Sequence, residues 1–374
     1  MIKILFAGDF IPPETDSNLY SEELQEVLKD KDFSLVNLET PLTNGNQPIE
    51  KLGNNFKRSP KAIKRIKDGF FDAVTLSNNH IRDYGDEGVL DTLKTCNKHN
   101  IQTVGAGKNI NKARKPLRLN IKGKKLSILN YSEREFNIAS ENQAGANPYD
   151  TITAFYDIQK EKKENDYVII VYHGGMEFIK FPTEEMIREF EYIIDLGADA
   201  MITHHSHVYS GITLYKDKPI FFGLGNFYMD YINLKKPPKN SEIGLISTLK
   251  IKENKIMFDY TPIYQNNNTK ILSLLNKNQL NKFEESINNI SNLIRNKYVL
   301  RGILNDLLKK EENNLISFFN SSTKFEYKVR KRFKIFNKKI SKFKLITLLN
   351  YFRCSSHRYK NIIILKSLLN RKNN

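Results

Sequence analysis

Short apolar runs alternate with amphipathic stretches along the first part of the chain. Ile2-Lys3-Ile4-Leu5-Phe6-Ala7, Phe33 to Leu38, Ala73 to Leu76 and Ile101 to Val104 have the length and β-rich character of strands. Between them, Ser21 to Lys29, Lys61 to Asp68 and Gly88 to His99 have the period and charge placement of helices. The pattern changes at Pro116: Leu117 to Ile121 and Leu126 to Tyr131 flank Lys122-Gly123-Lys124-Lys125, which predicts a hairpin. Alternation then resumes with a helix before Asp166, a strand from Val168 to His173, a helix from Glu184 to Leu196 and a strand running into His204. Antiparallel strands follow at Ile212 to Tyr215, Pro219 to Phe222, Ile243 to Ile251 and Ile256 to Ile263. Alternation mixed with hairpins predicts an α/β fold of two packed sheets covered by helices, rather than one doubly wound sheet. Gln265 to Thr269 reads as a linker, dividing a domain over 1–265 from a helical extension over 266–374. In the extension, Ile271 to Ile294 and Val299 to Leu308 read as helices, and Lys324 to Phe352 is rich in Lys and Arg interleaved with Phe, Ile and Leu.

Polar side chains stand where the apolar runs stop. Asp9 follows the first, Glu39 the second and Asn78-Asn79-His80 the third; His173-Gly174-Gly175 and Thr203-His204-His205-Ser206-His207 close two later ones. The chain has seven histidines, and three of them share that last cluster, which weighs against a chance polar loop. Parallel strands ending this way bring their carboxyl ends to one site, where open α/β sheets bind ligands. In extended chain His205 and His207 project to the same side and reach one metal centre. Asn79 and His80 offer a neutral ligand and a proton donor, and Asp83 is placed to orient His80. Gly174 and Gly175 allow backbone or substrate to come close. Gly223-Leu224-Gly225-Asn226-Phe227 lacks the third glycine of a dinucleotide fingerprint and is read as a pocket wall. Taken singly, each group also has a structural reading as a turn, a cap or a solvated loop. A donor set of Asp, Glu, Asn and His suits Mn, Fe or Zn better than Ca or a thiolate site.

Charge changes the picture of the second part. Residues 266–374 carry 24 Lys and Arg against 6 Asp and Glu, whereas residues 1–265 carry 35 against 36. The net charge of +17 therefore belongs to the extension. There Phe325, Val329, Phe333, Phe336, Ile340 and Phe343 recur at three- and four-residue steps among Lys and Arg. Such a segment either packs on the main domain with a solvated basic face or contacts anionic lipid or polymer. Nucleic acid ranks below these, since no nucleic-acid motif accompanies the charge. Cys96 and Cys354 give no disulfide framework. No leader pattern and no spanning apolar run is evident, so the reading is cytoplasmic, with peripheral attachment at the inner face of the membrane left open.

Gly8-Asp9, Asn37-Leu38-Glu39, Asn78-Asn79-His80 with Asp83-Tyr84-Gly85, Gly105-Ala106-Gly107, His173-Gly174-Gly175, His204 to Val208 and Gly223 to Phe227 occur in one order. That ordered set resembles the CapA capsule-synthesis (poly-gamma-glutamate synthesis) family, itself similar to the calcineurin-like metallophosphoesterases. The resemblance covers residues 1–265. It implies a four-layer metallophosphoesterase-like sandwich of two mixed sheets between helices. It further implies that Asp9, Glu39, Asn79, His173, His205 and His207 ligate one or two divalent ions (Mn, Fe or Zn). His80, supported by Asp83, stands in the place of the acid, with Asn78, His204, Gly174, Gly175 and Asn226 lining the pocket. Two departures bear on metal number: Ile11 stands where phosphoesterases have the His of Asp-x-His, and Glu39 replaces their bridging aspartate.

The implied activity is metal-dependent hydrolysis or amide formation in capsule, poly-gamma-glutamate or envelope-polysaccharide biosynthesis, on a phosphoester or acyl-phosphate. Its partners would be an envelope-glycan precursor or an anionic polymer, with a membrane surface or synthase complex reached through the basic tail. The competing reading is a non-catalytic accessory subunit that holds an anionic polymer or a membrane synthase. No Walker-type loop for ATP is present.

Overall fold

The structure is a computed structural model and describes residues 1–14, 18–51, 53–230, 238, 240–253, 255–309 and 342–371. In chain order the strands of the first part are β1 (Ile2–Ile11), β2 (Phe33–Leu38), β3 (Ala73–Thr75), β4 (Gln102–Val104), β5 (Ala106–Gly107), β6 (Leu117–Ile121), β7 (Lys124–Ser132) and β8 (Gly145–Ala146). They are followed by β9 (Tyr167–His173), β10 (Ala200–His204), β11 (Ile212–Tyr215), β12 (Lys218–Phe221), β13 (Asn226–Met229), β14 (Ile243–Lys252), β15 (Lys255–Gln265) and β16 (Leu272–Leu274). The helices are α1 (Glu22–Lys29), α2 (Ile63–Asp68), α3 (Gly85–Lys98), α4 (Ile110–Ala113), α5 (Thr151–Glu164), α6 (Glu184–Asp195), α7 (Lys277–Arg295), α8 (Lys297–Lys309), α9 (Lys342–Arg353) and α10 (Ser355–Arg371).

One sheet runs β16-β15-β14-β1-β2-β3-β4, and β13 also pairs with β1; the other runs β11-β12-β10-β9-β7-β6. The strands that carry the polar ends lie parallel: β1 to β4 in the first sheet, and β7, β9, β10 and β12 in the second. Hairpins and antiparallel pairs are confined to the flanks, as the pattern change at Pro116 and after His207 anticipates. Strand alternation divides the apolar residues of the first sheet between two cores. Leu5, Ala7, Val36 and Val74 face a core with Leu24 and Leu28 of α1, Ile63 and Ile66 of α2 and Val89 of α3. Ile4, Phe6, Leu35 and Ala73 face the opposite way, into a core shared with the second sheet. The second sheet is buried on both faces, with α5 against β9 and α6 against β10. The result is helices, sheet, sheet, helices: a mixed α/β fold of four layers.

Beyond Gln265 the structure departs from the single helix expected from Ile271. Leu272 and Leu274 form β16, paired with β15, and the helix begins only after Asn276. Asn276 caps it through Gln279 N, and Gln279 bonds back in a full capping box. A three-residue strand is too short to show a period of two, whereas its leucines fit the helical period of the stretch that follows. Helix α7 then packs on β11, where Ile212 N donates to Ser291 Oγ at 2.9 Å. Most of the basic amphipathic pattern, Phe325 to Ile340, lies outside the described residues. Among the described residues, no helix is long and apolar enough to cross a membrane.

Candidate metal centre

β1 changes neighbour at Asp9. Its first half, Ile2 to Ala7, pairs antiparallel with β14, while Asp9 to Ile11 pair parallel with β13. The register with β2 also shifts between Ala7 and Asp9. Gly8 makes the shift possible: a Cβ there would lie 2.0 Å from the Gly225 carbonyl oxygen. That same carbonyl accepts from Asp9 N at 3.0 Å. Asp9 is fully buried; Oδ1 accepts from Asn37 Nδ2 at 2.8 Å and Oδ2 from His205 N at 3.1 Å. Asn37, on β2, also reaches His173 Nδ1 at 3.2 Å, so one amide ties Asp9 to His173.

Glu39 follows β2 and is fully buried, and neither carboxylate oxygen has a hydrogen-bond partner. Its nearest polar neighbours are imidazoles: His173 Nε2 lies 3.4 Å and His207 Nε2 3.8 Å from Oε1. Burial, and then the Asp9 charge, push the Glu39 pKa well above the ordinary carboxylate range. His173 Nε2 also lies 3.0 Å from Asn79 Oδ1 and 3.1 Å from His205 Nδ1. One imidazole N–H cannot serve this many acceptors. Burial and the neighbouring His205 hold the His173 pKa well below its usual value.

His205 and His207 do come together, but not by strand alternation. Both lie beyond β10 in the left-handed region, with φ of 90° and 55°, so a tight turn brings their rings to 6.0 Å between centroids. The ligand atoms of Glu39, His205 and His207 all lie within 4.8 Å of one another. A buried carboxylate without donors and two imidazoles fit a divalent cation of the Mn, Fe or Zn type. Asp9, Asn79 and His173 flank this group.

The remaining pocket residues serve mostly to hold it. His207 Nδ1 sits 3.0 Å from Asn226 Oδ1, whose amide nitrogen donates to Ser241 O. Burial disfavours protonation of His207, but Glu39 and Asp9 raise its pKa to about 10. His204 Nδ1 lies 3.2 Å from Asp9 Oδ1 without the alignment of a hydrogen bond. Burial alone would raise the Asp9 pKa; the adjacent His204 and His207 outweigh it and hold that pKa well below the usual range. Asn78 donates to Leu38 O at 2.8 Å and accepts from His80 N, which spends its side chain on the end of β2. Gly174 lies against Glu133, where a Cβ would come within 2.6 Å of Glu133 Cγ, and Gly175 adopts φ 114°.

His80 Nδ1 lies 2.7 Å from Asp83 Oδ2. Sequence reasoning missed the third member. Lys51 Nζ lies 3.1 Å from His80 Nδ1 and pairs with Asp83, and its side chain is buried. Burial first, and the Lys51 charge second, lower the His80 pKa. The Phe56 ring lies tilted by 48° against the imidazole, with centroids 4.5 Å apart. Lys51 and Phe56 come from an irregular segment with no periodicity to mark them. Glu177, also missed, is on the loop after β9, where the neighbouring His205, His207 and His80 lower its pKa against the opposing effect of desolvation. Its place four residues past His173 was the available signal.

Residues 3–231 match the family described as bacterial capsule synthesis protein PGA_cap. Capsule biosynthesis protein CapA of Bacillus anthracis is 31% identical over 212 residues, covering 54% of this chain and 52% of its own. PGA biosynthesis protein CapA of Bacillus subtilis (strain 168) is 29% identical over 213 residues, covering 55% and 56%. The chain thus spans about half the length of the curated relatives it matches. The solved calcineurin-like phosphoesterase YfkN from Bacillus subtilis superposes with a TM-score of 0.42 at 13% identity, over 79% of this chain and 98% of that one.

Proposed function

Because the chain belongs to the bacterial capsule synthesis protein family PGA_cap, of capsule and poly-glutamate biosynthesis, we propose that it is a metal-dependent enzyme of that process. The reaction proposed is attack on a phosphoester or an acyl-phosphate. The observation that carries this reading is Glu39: a fully buried carboxylate with no hydrogen-bond donor, within ligand distance of His205 and His207. Glu39, His205 and His207 would hold the ion, with Asp9, Asn79 and His173 available beside them. A divalent ion there supplies a Lewis acid for a phosphoryl or acyl-phosphate oxygen.

The chain's own residues do the rest. Asn37 fixes the relative positions of Asp9 and His173 through its two contacts. Asp83 engages Nδ1 of His80, which leaves Nε2 for proton transfer to a leaving group. Lys51, buried beside this pair, adds a positive charge that would attract an anionic substrate group. Phe56 and Phe178 cover His80 and His207 and limit access of water. The substrate proposed is an anionic polymer or an envelope-glycan precursor, met at the inner face of the membrane through the basic extension.

One observation favours an accessory role instead. The Lys51 ammonium beside His80 disfavours the imidazolium form that an acid needs. An accessory subunit would hold an anionic polymer or a synthase without turnover, and His80→Ala would leave its function unchanged. Metal analysis of the purified protein and of the His205→Ala/His207→Ala double variant tests the enzyme reading. Stoichiometric Mn, Fe or Zn, lost at least tenfold in the variant, is the expected result. No metal in either protein after reconstitution would sink it.

A further inference from the structure

Phe178 lies on the loop after β9 with a φ of 59°, in the left-handed region that a bulky side chain rarely adopts. Its N–H donates at 2.8 Å to the carbonyl of Ser206, the residue between His205 and His207. The turn that carries the two imidazoles therefore holds Phe178 in this conformation. The ring lies against His207, with centroids 5.4 Å apart and planes tilted by 33°. The residue nevertheless remains 43% exposed. Neither burial nor backbone geometry accounts for a phenylalanine here. A core position would hide the ring, and a left-handed backbone is met by glycine at no steric cost, as at Gly175 on the same loop. An aliphatic side chain would cover His207 as well. What remains is an aromatic face at the mouth of the metal centre, and backbone strain of this kind collects where a site is used.

Two carboxylates border the same opening. Glu177 precedes Phe178, and its charge acts on Glu39, His80 and His207 in the centre and on Glu135 and His357 at its edge. Among the described residues, no group donates a hydrogen bond to the Glu177 carboxylate. Glu135 lies on the loop after β7, and its carboxylate receives one long bond, 3.4 Å, from Asn350 Nδ2. An ionised carboxylate accepts and does not donate, so this rim calls for a ligand rich in donors.

We propose that the mouth of the metal centre binds a pyranose ring, its C–H face on Phe178 and its hydroxyls donating to Glu177 and Glu135. The face of an aromatic ring is negative, which suits the C–H groups of a sugar, and each carboxylate has the lone pairs to accept from two neighbouring hydroxyls. A chain of acidic residues would set its own carboxylates against these two, and a bare phosphate would leave the ring unused. The inference rests on the proposed metal chemistry for the place of the reacting group, and it narrows the substrate to a glycosyl phosphoester.

The chain contains no tryptophan, so Phe178→Trp places a single fluorescent reporter at the platform. The full-length variant, loaded with Mn, is titrated with glucose-1-phosphate, glycerol-3-phosphate, AMP and tri-γ-glutamate. Saturable quenching by glucose-1-phosphate is expected, at least tenfold tighter than by each of the other three. By calorimetry the parent should show the same preference for glucose-1-phosphate over glycerol-3-phosphate. Phe178→Leu, which still covers His207, and Phe178→Gly, which suits the left-handed backbone, should both bring that ratio to about one. Maltose carries no phosphate, and its titration into metal-free Phe178→Trp reads the platform alone. Quenching by maltose, with no phosphate binding by the Mn-treated parent, would count against the metal reading and leave the platform standing. No saturable response to glucose-1-phosphate or to maltose, an unchanged ratio in both Phe178→Leu and Phe178→Gly, or tighter binding of AMP or tri-γ-glutamate would overturn the proposal.

Discussion

A buried carboxylate without a donor costs several kcal/mol unless it is protonated or joined by a cation, and Glu39 is in that position. Removing metal is therefore expected to lower the melting temperature, and restoring it at 100 times Kd should return about 2.7 kcal/mol. Glu39→Gln should reverse the balance, with a metal-free form at least as stable as the parent's but metal affinity reduced tenfold or more. Melting curves with chelator and with Mn check both. Gly8 is a second residue where geometry decides. The Cβ of Gly8→Ala would collide with the Gly225 carbonyl, so a loss of roughly 2–4 kcal/mol is expected in denaturant titration. Glu189 gives a pH dependence. Its folded pKa, about 7, lies above the unfolded value, so its contribution is full below the unfolded pKa and is lost as pH rises through 7. Partial exposure limits the effect to about 1–2 kcal/mol. Glu185, Glu133, Arg188 and Arg358 surround it, and stability profiles of the parent and Glu189→Gln should converge at low pH and separate above 7. At this scale the sequence was legible where a side chain closes an apolar run, as at Asp9, Glu39, His173 and His205. It was silent at Lys51, because a buried ammonium in an irregular segment is placed by contacts far along the chain. The convergence of His205 and His207 was right in outcome and different in cause, since two left-handed residues do what strand alternation was expected to do.

Elements were the most legible level, because each strand and helix of the layered core carries its own period. The short pieces escaped. β16 looks helical in sequence and becomes a strand because β15 offers it an unpaired edge. Helix α7 is seated through one buried polar contact: Ser291 Oγ accepts from Ile212 N and donates to Ile287 O. Ser291→Ala leaves the Ile212 N–H without a partner in a buried place, and a loss of about 1–3 kcal/mol is expected. Hydrogen exchange should show it as faster exchange confined to β11 and α7.

Across the molecule, the family match ends at residue 231, yet the structure continues through β14, β15 and the helices that follow. The α9–α10 turn reaches back to Glu133, beside His173, through Cys354 and Ser356. Deleting residues 342–374 should lower the melting temperature while leaving metal stoichiometry unchanged, because the metal group rests on the β2 end and the turn after β10. Calorimetry and metal analysis of the shortened chain check the two halves of that statement. The exchange of partners along β1 has a further consequence for how the protein comes into being. Asp9 is made more than 200 residues before β13 and β14, the strands that flank its own. Contacts so distant in sequence form late. A nascent chain halted before Lys252 would have the histidines in hand and no completed sheet around the aspartate's strand, so the candidate metal group comes together only after β14 is made.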